Sequence, residues 1–453
     1  MRVTLIKPNL GRMVGAPGFV RYVDAGRMEP LQLGVLAGLT PPGVDVRLYD
    51  DRMEGVPFDE PTDLAALTVE TFTAKRAYEI AGEYRRRGVP VVMGGMHPTL
   101  VPEEVAGHAD SVVTGDAESV WRSVIADAAA GRLLPRYDGG TGGVPQEGVR
   151  PRRELFVGKG YLPIALTQFS RGCPYRCSYC ATSRFFHATH RHRPVAEVVE
   201  ELRAQRRRSV FFVDDNITAD HDAAKELFAA LIPLRLHWVS QASLDMLADR
   251  ELMALMVRSG CLGHVIGFES LSDASLRAMR KGHNRAAAAT GYAGAVEQLR
   301  SHGLQTWAAF TLGHDSDTLE SIRATADFAL ASKFTFAAFN ILMPYPGTPL
   351  FAQLAAEGRL LYGGRWWLHP DYRFNHAAFT PARLSADELT AASFECRRRL
   401  NSVPSIVSRF LEPRTNLRSP LAALQYLAYN PLFRTEVYKK QDMALGYRAE
   451  PVA

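Results

Sequence analysis

Short apolar runs, each followed by a stretch of helical periodicity, recur along most of the chain, and this alternation is the strongest limit on its fold. Between Met1 and Gly143 the runs VTLI, VDVRLYD, LAALTV, VPVVMGG and SVVTG read as strands. LQLGVLAGL, AKRAYEIAGEYRRRG, the VPEEVAGHA region and ESVWRSVIADAAAG read as helices between or after them. Strands this short, separated by helices, predict parallel pairing with crossover helices: a doubly wound α/β sheet. Such sheets bind ligands beyond the carboxyl ends of their strands, here the loops at Asn9 to Arg12, Asp50 to Arg52, Glu70 to Thr73 and Gly94 to Thr99. DGGTGGVPQEGVRPRR, from Asp138 to Arg153, reads as a linker. A second alternating series follows, with strands in LTQFS, SVFFVDD, LHWVSQAS, LGHVIGFES, TWAAFTLG and FAAFNILM. Six strands spaced by helices predict a partial (β/α)6 barrel with its chemistry at the strand carboxyl ends. After Tyr372 only helical patterns remain, SADELTAASFECRRRL and PLAALQYLAY. The expected division is 1–150, 151–372 and a helical region at 373–453.

Composition removes several classes of function. A chain of 453 residues exceeds one ordinary core. Its 47% hydrophobic and 22% charged content excludes a disordered chain, a collagen-like chain and a disulfide scaffold. A formal net charge of +5 lacks the dense basic footprint of a nucleic-acid binder. The run from Arg203 to Ser209 reads as a solvated helix end. No apolar stretch reaches membrane-spanning length, and MRVTLIKPNLGR reads as a strand and a polar loop rather than a signal. The expected location is cytoplasmic, with neither nucleic acid nor membrane as a partner.

Three of the five cysteines fall within SRGCPYRCSYC, Ser170 to Cys180. Cys173, Cys177 and Cys180 form CxxxCxxC, an odd cluster that fits no disulfide framework and points to a metal or redox group in a reducing compartment. Structural zinc takes four ligands. Three thiolates suit a 4Fe–4S cluster with one iron left open to a small molecule. His187, His190 or His192 could instead complete a Cys3His zinc site. Gly172 and Pro174 suit a backbone that wraps around a cluster. Cys261 reads as a buried small side chain, and Cys396 shows no partner.

A CxxxCxΦC motif after the first strand of a partial barrel resembles the radical S-adenosylmethionine (SAM) superfamily. FVDDN, SQAS, GFES, TLGHDSDT and MPYPGTPL resemble its later strand-end motifs in order. MEPLQLGVLAGL, GGMHPTLVPEE and VVTGDAE are similar to the cobalamin-binding type of N-terminal domain in one large branch, so the resemblance spans about residues 1–372. It implies that Cys173, Cys177 and Cys180 ligate a 4Fe–4S cluster whose open iron chelates SAM. One electron then yields methionine and a 5'-deoxyadenosyl radical that abstracts hydrogen from the substrate. It places Tyr179 near the adenine, and Asp214, Asp215 and Asn216 as contacts to the methionine ammonium, which carboxylates can accept. Gln241, Ser243 and Glu269 would meet the ribose or the substrate, and Gly313 would let the backbone approach adenine. Plainer readings stand beside these. Asp215 and Asn216 could cap the next helix, Glu269 could pair with Arg171 or Arg193, and Gly313 and Gly347 could be turn glycines.

Cobalamin is left open. The DxHxxG motif that supplies an axial imidazole is absent, TVETFT places Glu70 at a strand end beside Thr68, Thr71 and Thr73, and GDAE departs from the commoner GEGE. His97 is either a contact or a structural histidine. Size, short tail and ambiguous corrin site resemble the radical SAM diol dehydratases of apramycin-type aminoglycoside 3'-deoxygenation. The implied reaction is dehydration of a 1,2-diol on an aminoglycoside such as paromamine. That chemistry needs an acid or base beside the radical carbon and carboxylates for a polycationic sugar. Asp214, Glu269, Asp315 and Asp317, with Glu70 across the interface, are the candidates. The alternative is a cobalamin-dependent radical SAM C-methyltransferase, and a more distant one is a non-enzymatic Fe–S or corrinoid carrier. The implied partners are a sugar-like small molecule and an electron donor such as flavodoxin, ferredoxin or a partner reductase. Trp366, Trp367, Tyr372 and Phe374 read as core packing.

Overall fold

Strands buried on both faces carry nearly continuous apolar runs, and the four central strands of the first sheet are of this kind. A computed structural model describes residues 1–11, 27–205, 207–289 and 291–447; Arg12, named above at a sheet-end loop, lies outside the described residues. The first sheet comprises β1 (Arg2–Lys7), β2 (Asp45–Asp50), β3 (Leu64–Thr68), β4 (Val91–Gly94), β5 (Ser111–Thr114) and β6 (Arg136–Asp138), all parallel, in the order β2-β1-β3-β4-β5-β6. Val3, Leu5, Ala66, Val92 and Val113 face the helix Leu31–Leu39 and Trp121. Ile6, Ala65, Leu67, Val91 and Met93 face the helix Ala74–Arg86. Strand order reverses between β1 and β3, which sets a ligand crevice at the carboxyl ends. β6 was not legible in the sequence. It is a three-residue edge strand that buries only Tyr137, too short to show a period.

Most of the expected linker is exposed or half-buried, with only Pro145 and Gln146 buried, and its end is fastened to both domains. Phe156 sits in the first core, and Arg153 joins Glu29 of the first domain to Glu201 of the second, 2.8 Å away.

The second sheet is a six-stranded parallel partial barrel of β7 (Ala165–Thr167), β10 (Ser209–Phe212), β11 (His237–Ala242), β12 (Cys261–Glu269), β13 (Gln305–Leu312) and β14 (Phe336–Ile341), in the order β14-β13-β12-β11-β10-β7. Phe212, Trp238, Phe268, Phe310 and Phe339 are fully buried toward the helical layer. Their neighbours in sequence point to the lumen, as alternation requires. LTQFS divides. β7 ends at Thr167, and β8 (Ser170–Gly172) pairs antiparallel with β9 (His190–His192), so a hairpin brackets the cysteines.

The C-terminal region is helical at Ala386–Leu400, Val403–Phe410 and Pro420–Lys440, as expected. Arg397 and Ser393 donate to Phe339 O at 2.9 and 3.1 Å, which fastens the first of these helices to β14. Beyond the helices the chain returns to the first domain: Gly446 N donates to Leu10 O at 2.8 Å, and Arg76 lies 3.9 Å over the Tyr447 ring. Trp366 and Tyr372 are fully buried and pack with Phe72 of the first domain, so the aromatic run is core shared between domains. No helix among the described residues is long and apolar enough to cross a membrane.

Candidate functional site

Two carboxylates at the end of β10 hold the cysteine loop in place. Asp214 is fully buried and accepts hydrogen bonds from Phe169 N at 3.1 Å, Ser170 N, and Ser170 Oγ at 2.5 Å. Asp215 accepts from Gly172 N at 2.8 Å and Thr182 Oγ1 at 3.3 Å, so it clamps both ends of the loop. Gly172 has φ +86°, and a Cβ there would fall 2.3 Å from Thr189 O, so the tight hairpin requires glycine. Neither aspartate caps the following helix, whose N-cap is Asp220, accepting from Ala223 N at 3.1 Å. Asn216 donates to Ser243 Oγ at 2.9 Å and accepts from Thr218, which ties the second and third strand ends together. Ser243 in turn donates to Asp245, which also accepts from Tyr175 at 2.6 Å. Gln241 is half-buried at the end of β11, its carbonyl accepting from Ile217 N at 3.0 Å.

Burial pushes the Asp214 carboxyl up to about 7, although its three donors favour the charged form. A carboxyl with a raised folded pKa contributes stability below its ordinary value of 3.8, and that contribution is lost as pH rises through about 7. The protein is therefore expected to melt a few degrees lower at about pH 8 than at about pH 6. Asp214→Asn, which keeps an acceptor but cannot ionise, should flatten that difference. Melting curves at the two pH values check it, and an unchanged slope in the variant would assign the effect to another group.

Cys177 is buried, and Cys173 and Cys180 are half-buried; all three are free thiols. Burial pushes Cys173 up to about 11 and Cys177 up to about 12, so bare thiolates there need a compensating cation. Lys281 lies close enough to favour ionisation of both. Among the described residues no three His, Cys, Asp or Glu side chains converge as ligands of one ion. Of the three histidines that could complete a Cys3His site, His187 lies with Cys177 and Cys180 around one opening. His192 instead stacks on Phe169 with ring centres 5.4 Å apart. Three thiols spaced along one loop suit a cluster, in which each takes its own iron.

Glu269 is the hub of the barrel mouth. It sits at a bulge between β12 and β13 with φ +64°, and its carboxylate meets Lys281 Nζ at 2.7 Å, Thr311 Oγ1 and the Tyr179 hydroxyl. A Cβ on Gly267 would lie 2.2 Å from Glu269 Oε1 and 2.7 Å from Lys281 Nζ, so the pair packs directly over this glycine. Burial works to raise the Glu269 pKa, but the Lys281 ammonium and the two hydroxyls outweigh it, so the carboxyl titrates below its usual range. Lys281 was missed in the sequence, where RKGH shows only a basic pair after a helix. The expected pairings of Glu269 with Arg171 or Arg193 do not form: Arg171 pairs with Asp116 and Glu118, and Arg193 with Glu201.

Two expected residues stand apart. Asp315, read as a catalytic carboxylate, is 56% exposed and paired with Arg359 at 2.7 Å. Gly313 has φ +104°, and a Cβ there would lie 2.6 Å from the Leu389 side chain, so this turn packs against the C-terminal helix. Asp317 accepts from the amides of Gly313 and His314 and fixes this turn. His314 is buried with Nε2 unpaired.

The first domain meets this loop directly. Asp116 of GDAE pairs with Arg171 at 2.8 Å and with Arg191 at 2.9 Å, and Glu118 pairs with Arg171 at 2.7 Å, so both hairpin strands are anchored to the first sheet. Beside this anchor a crevice of about 330 Å³ runs from Thr68, Gly94, Gly95 and Gly115 at the strand ends to Phe185 and Phe186. Its apolar walls and its place at the carboxyl ends fit a flat heterocycle. His97 is fully buried and bound to Tyr78 and Glu104, each at 3.1 Å, the structural role among its two readings. Glu70 pairs with Lys7 at 2.5 Å, and the hydroxyl of Thr71 is buried and unpaired.

The family model described as the radical SAM superfamily matches residues 167–329. The bacteriochlorophyllide d C-12(1)-methyltransferase of Chlorobaculum tepidum is 31% identical over 401 residues, covering 85% of this chain and 86% of that protein. The C-8(2)-methyltransferase of the same organism is 31% identical over 360 residues, with 74% and 78% covered. Among solved structures, the radical SAM methyltransferase TsrM from Kitasatospora setae, with cobalamin and a 4Fe–4S cluster bound, superposes with a TM-score of 0.63 at 16% identity, covering 97% of this chain and 98% of that one. That likeness establishes a shared fold across both domains and the tail.

Proposed function

This chain belongs to the radical SAM superfamily, and from that premise we propose that it is a cobalamin-dependent radical SAM C-methyltransferase. Its cofactors include a 4Fe–4S cluster and SAM. The observation that carries the methyltransferase reading is the extent of likeness to a methyltransferase, 85% of the chain, first domain included. The crevice at the carboxyl ends of β3, β4 and β5 supports it. When bound, the cluster supplies the electron that cleaves SAM, and cobalamin carries the methyl group.

This chain's own residues do the rest. Cys173, Cys177 and Cys180 hold the cluster, on a loop fixed by Asp214 and Asp215. Lys281 offsets the negative charge that gathers there, and Glu269 keeps Lys281 charged and holds Tyr179. Thr68, Gly94, Gly95 and Gly115 would hold the nucleotide tail of cobalamin. His97, engaged by Tyr78 and Glu104, serves the packing of the first domain.

Diol dehydration of an aminoglycoside draws no support from the methyltransferase relatives, and three of its five candidate carboxylates are engaged elsewhere. Asp315 faces solvent with Arg359, Glu70 is bound to Lys7, and Asp214 is committed to the loop. The test is product analysis after anaerobic reconstitution, with cobalamin, reductant and a panel of tetrapyrroles and sugars including paromamine. S-adenosylhomocysteine and 5'-deoxyadenosine formed together with a methylated product are expected. 5'-Deoxyadenosine alone, with a dehydrated sugar, would return the dehydratase reading.

A further inference from the structure

The surface over the cysteine loop carries one sign of charge. An opening of about 210 Å³ has Cys177 and Cys180 in its wall and Arg176, Arg184, His187 and Arg280 around it. All four basic side chains are exposed, and no carboxylate lines the opening. Nearby arginines behave differently: Arg171 is neutralised by Asp116 and Glu118, and Arg277 and Arg285 by Asp273. A chain with a net charge of only +5 therefore leaves uncompensated cations around two of the three thiols of its motif. The backbone is unusual at the same place. His187, Ala188 and Arg280 have φ of +52°, +54° and +58°, a region that side chains with a Cβ seldom occupy and that persists where the surroundings enforce it.

We propose that this opening is the docking face for an acidic one-electron donor protein, which reduces the cluster through the wall formed by Cys177 and Cys180. The proposal rests on the family assignment, which puts a cluster on these thiols. The donor loses one electron and the cluster gains it; no atom or proton is transferred. An electropositive rim around a redox centre steers an anionic partner into productive encounter, and such attraction weakens as salt rises. Spread over an exposed rim rather than sunk in a pocket, the cations suit a transient protein contact better than a small anion.

The test uses the full reconstituted chain and Arg176→Glu/Arg184→Glu/Arg280→Glu, with a flavodoxin as probe. Three quantities are read: iron content, flavodoxin affinity at about 50 and about 300 mM salt, and SAM cleavage driven by flavodoxin or by dithionite. Expected are unchanged iron, wild-type affinity that falls with salt, and a loss of about tenfold in flavodoxin affinity and flavodoxin-driven rate in the variant. Dithionite, which needs no docking face, should drive both proteins equally. Equal flavodoxin affinity and rate in the two proteins would overturn the proposal. An equal loss with dithionite and a raised SAM KM would also overturn it and assign the arginines to a small anion. Absence of iron from the wild type would instead overturn the premise, and the proposal with it.

Discussion

Replacing Cys177 with Ala is expected to leave a folded chain that retains no cluster. Iron content and visible absorbance after anaerobic reconstitution should fall to background, and SAM cleavage should fall by about a thousandfold or more, because a cluster lacking one of its cysteine ligands is not held. The fold should survive because the loop is fastened elsewhere. Asp215 still accepts from Gly172 N, Ser178 N still donates to Met279 O, and Leu350 N still donates to Ser178 O. Removing one buried sulfur costs about 1 kcal/mol of packing. Cys261→Ala and Cys396→Ala are the controls. Cys261 is buried beside His264, which also meets Met256, and Cys396 contacts Ile322 O at 3.7 Å, so neither change should alter iron content. Full absorbance in Cys177→Ala would remove the triad assignment.

The cysteine loop and both sheets were legible because their signals are local. Thiol spacing is a property of eight consecutive residues, and the two parallel sheets announce themselves through short apolar runs between helical stretches. β6 and the return of residues 442–447 to the first domain carry no such period, since each is a few residues long and is defined by its partner. The carboxylates show the same limit. Asp214, Asp215, Glu269 and Asp315 all stand at or just beyond strand ends, and sequence position treats them alike. In three dimensions the first two bind loop amides, the third meets a lysine from a helix-flanking loop, and the fourth turns outward to Arg359. Lys281 was invisible for the complementary reason. What sets it apart from neighbouring basic residues is burial beside Glu269 and Cys177, which only the fold creates.

Glu269 and Lys281 form the pair whose separation should have the largest effect short of removing the cluster. Glu269→Gln leaves an ammonium buried without its counter-charge, and Lys281→Met leaves a carboxylate in the same position. Breaking a buried pair from either side costs about 3–5 kcal/mol. Each single variant is expected to be less stable than the wild type and to turn over about a hundredfold more slowly. Glu269→Gln should keep its iron, because the three thiols and their loop are untouched. The double variant separates the two consequences. With both charges gone the burial penalty disappears, so stability should recover by more than the sum of the single losses allows. Turnover should not recover, because neither the charge beside the thiols nor the carboxylate holding Tyr179 is restored. The pH dependence has a definite sign. A carboxyl whose folded pKa is depressed contributes stability above its ordinary value of 4.5 and loses it as pH falls through the folded value. The wild type should therefore lose this increment on acidification, and Glu269→Gln should show no such loss. Denaturant melts across the acid range, run beside SAM-cleavage rates for the four proteins, test both halves. Turnover that returns with stability in the double variant would make the pair a packing element of the barrel mouth, and the site would then be the cysteine loop alone.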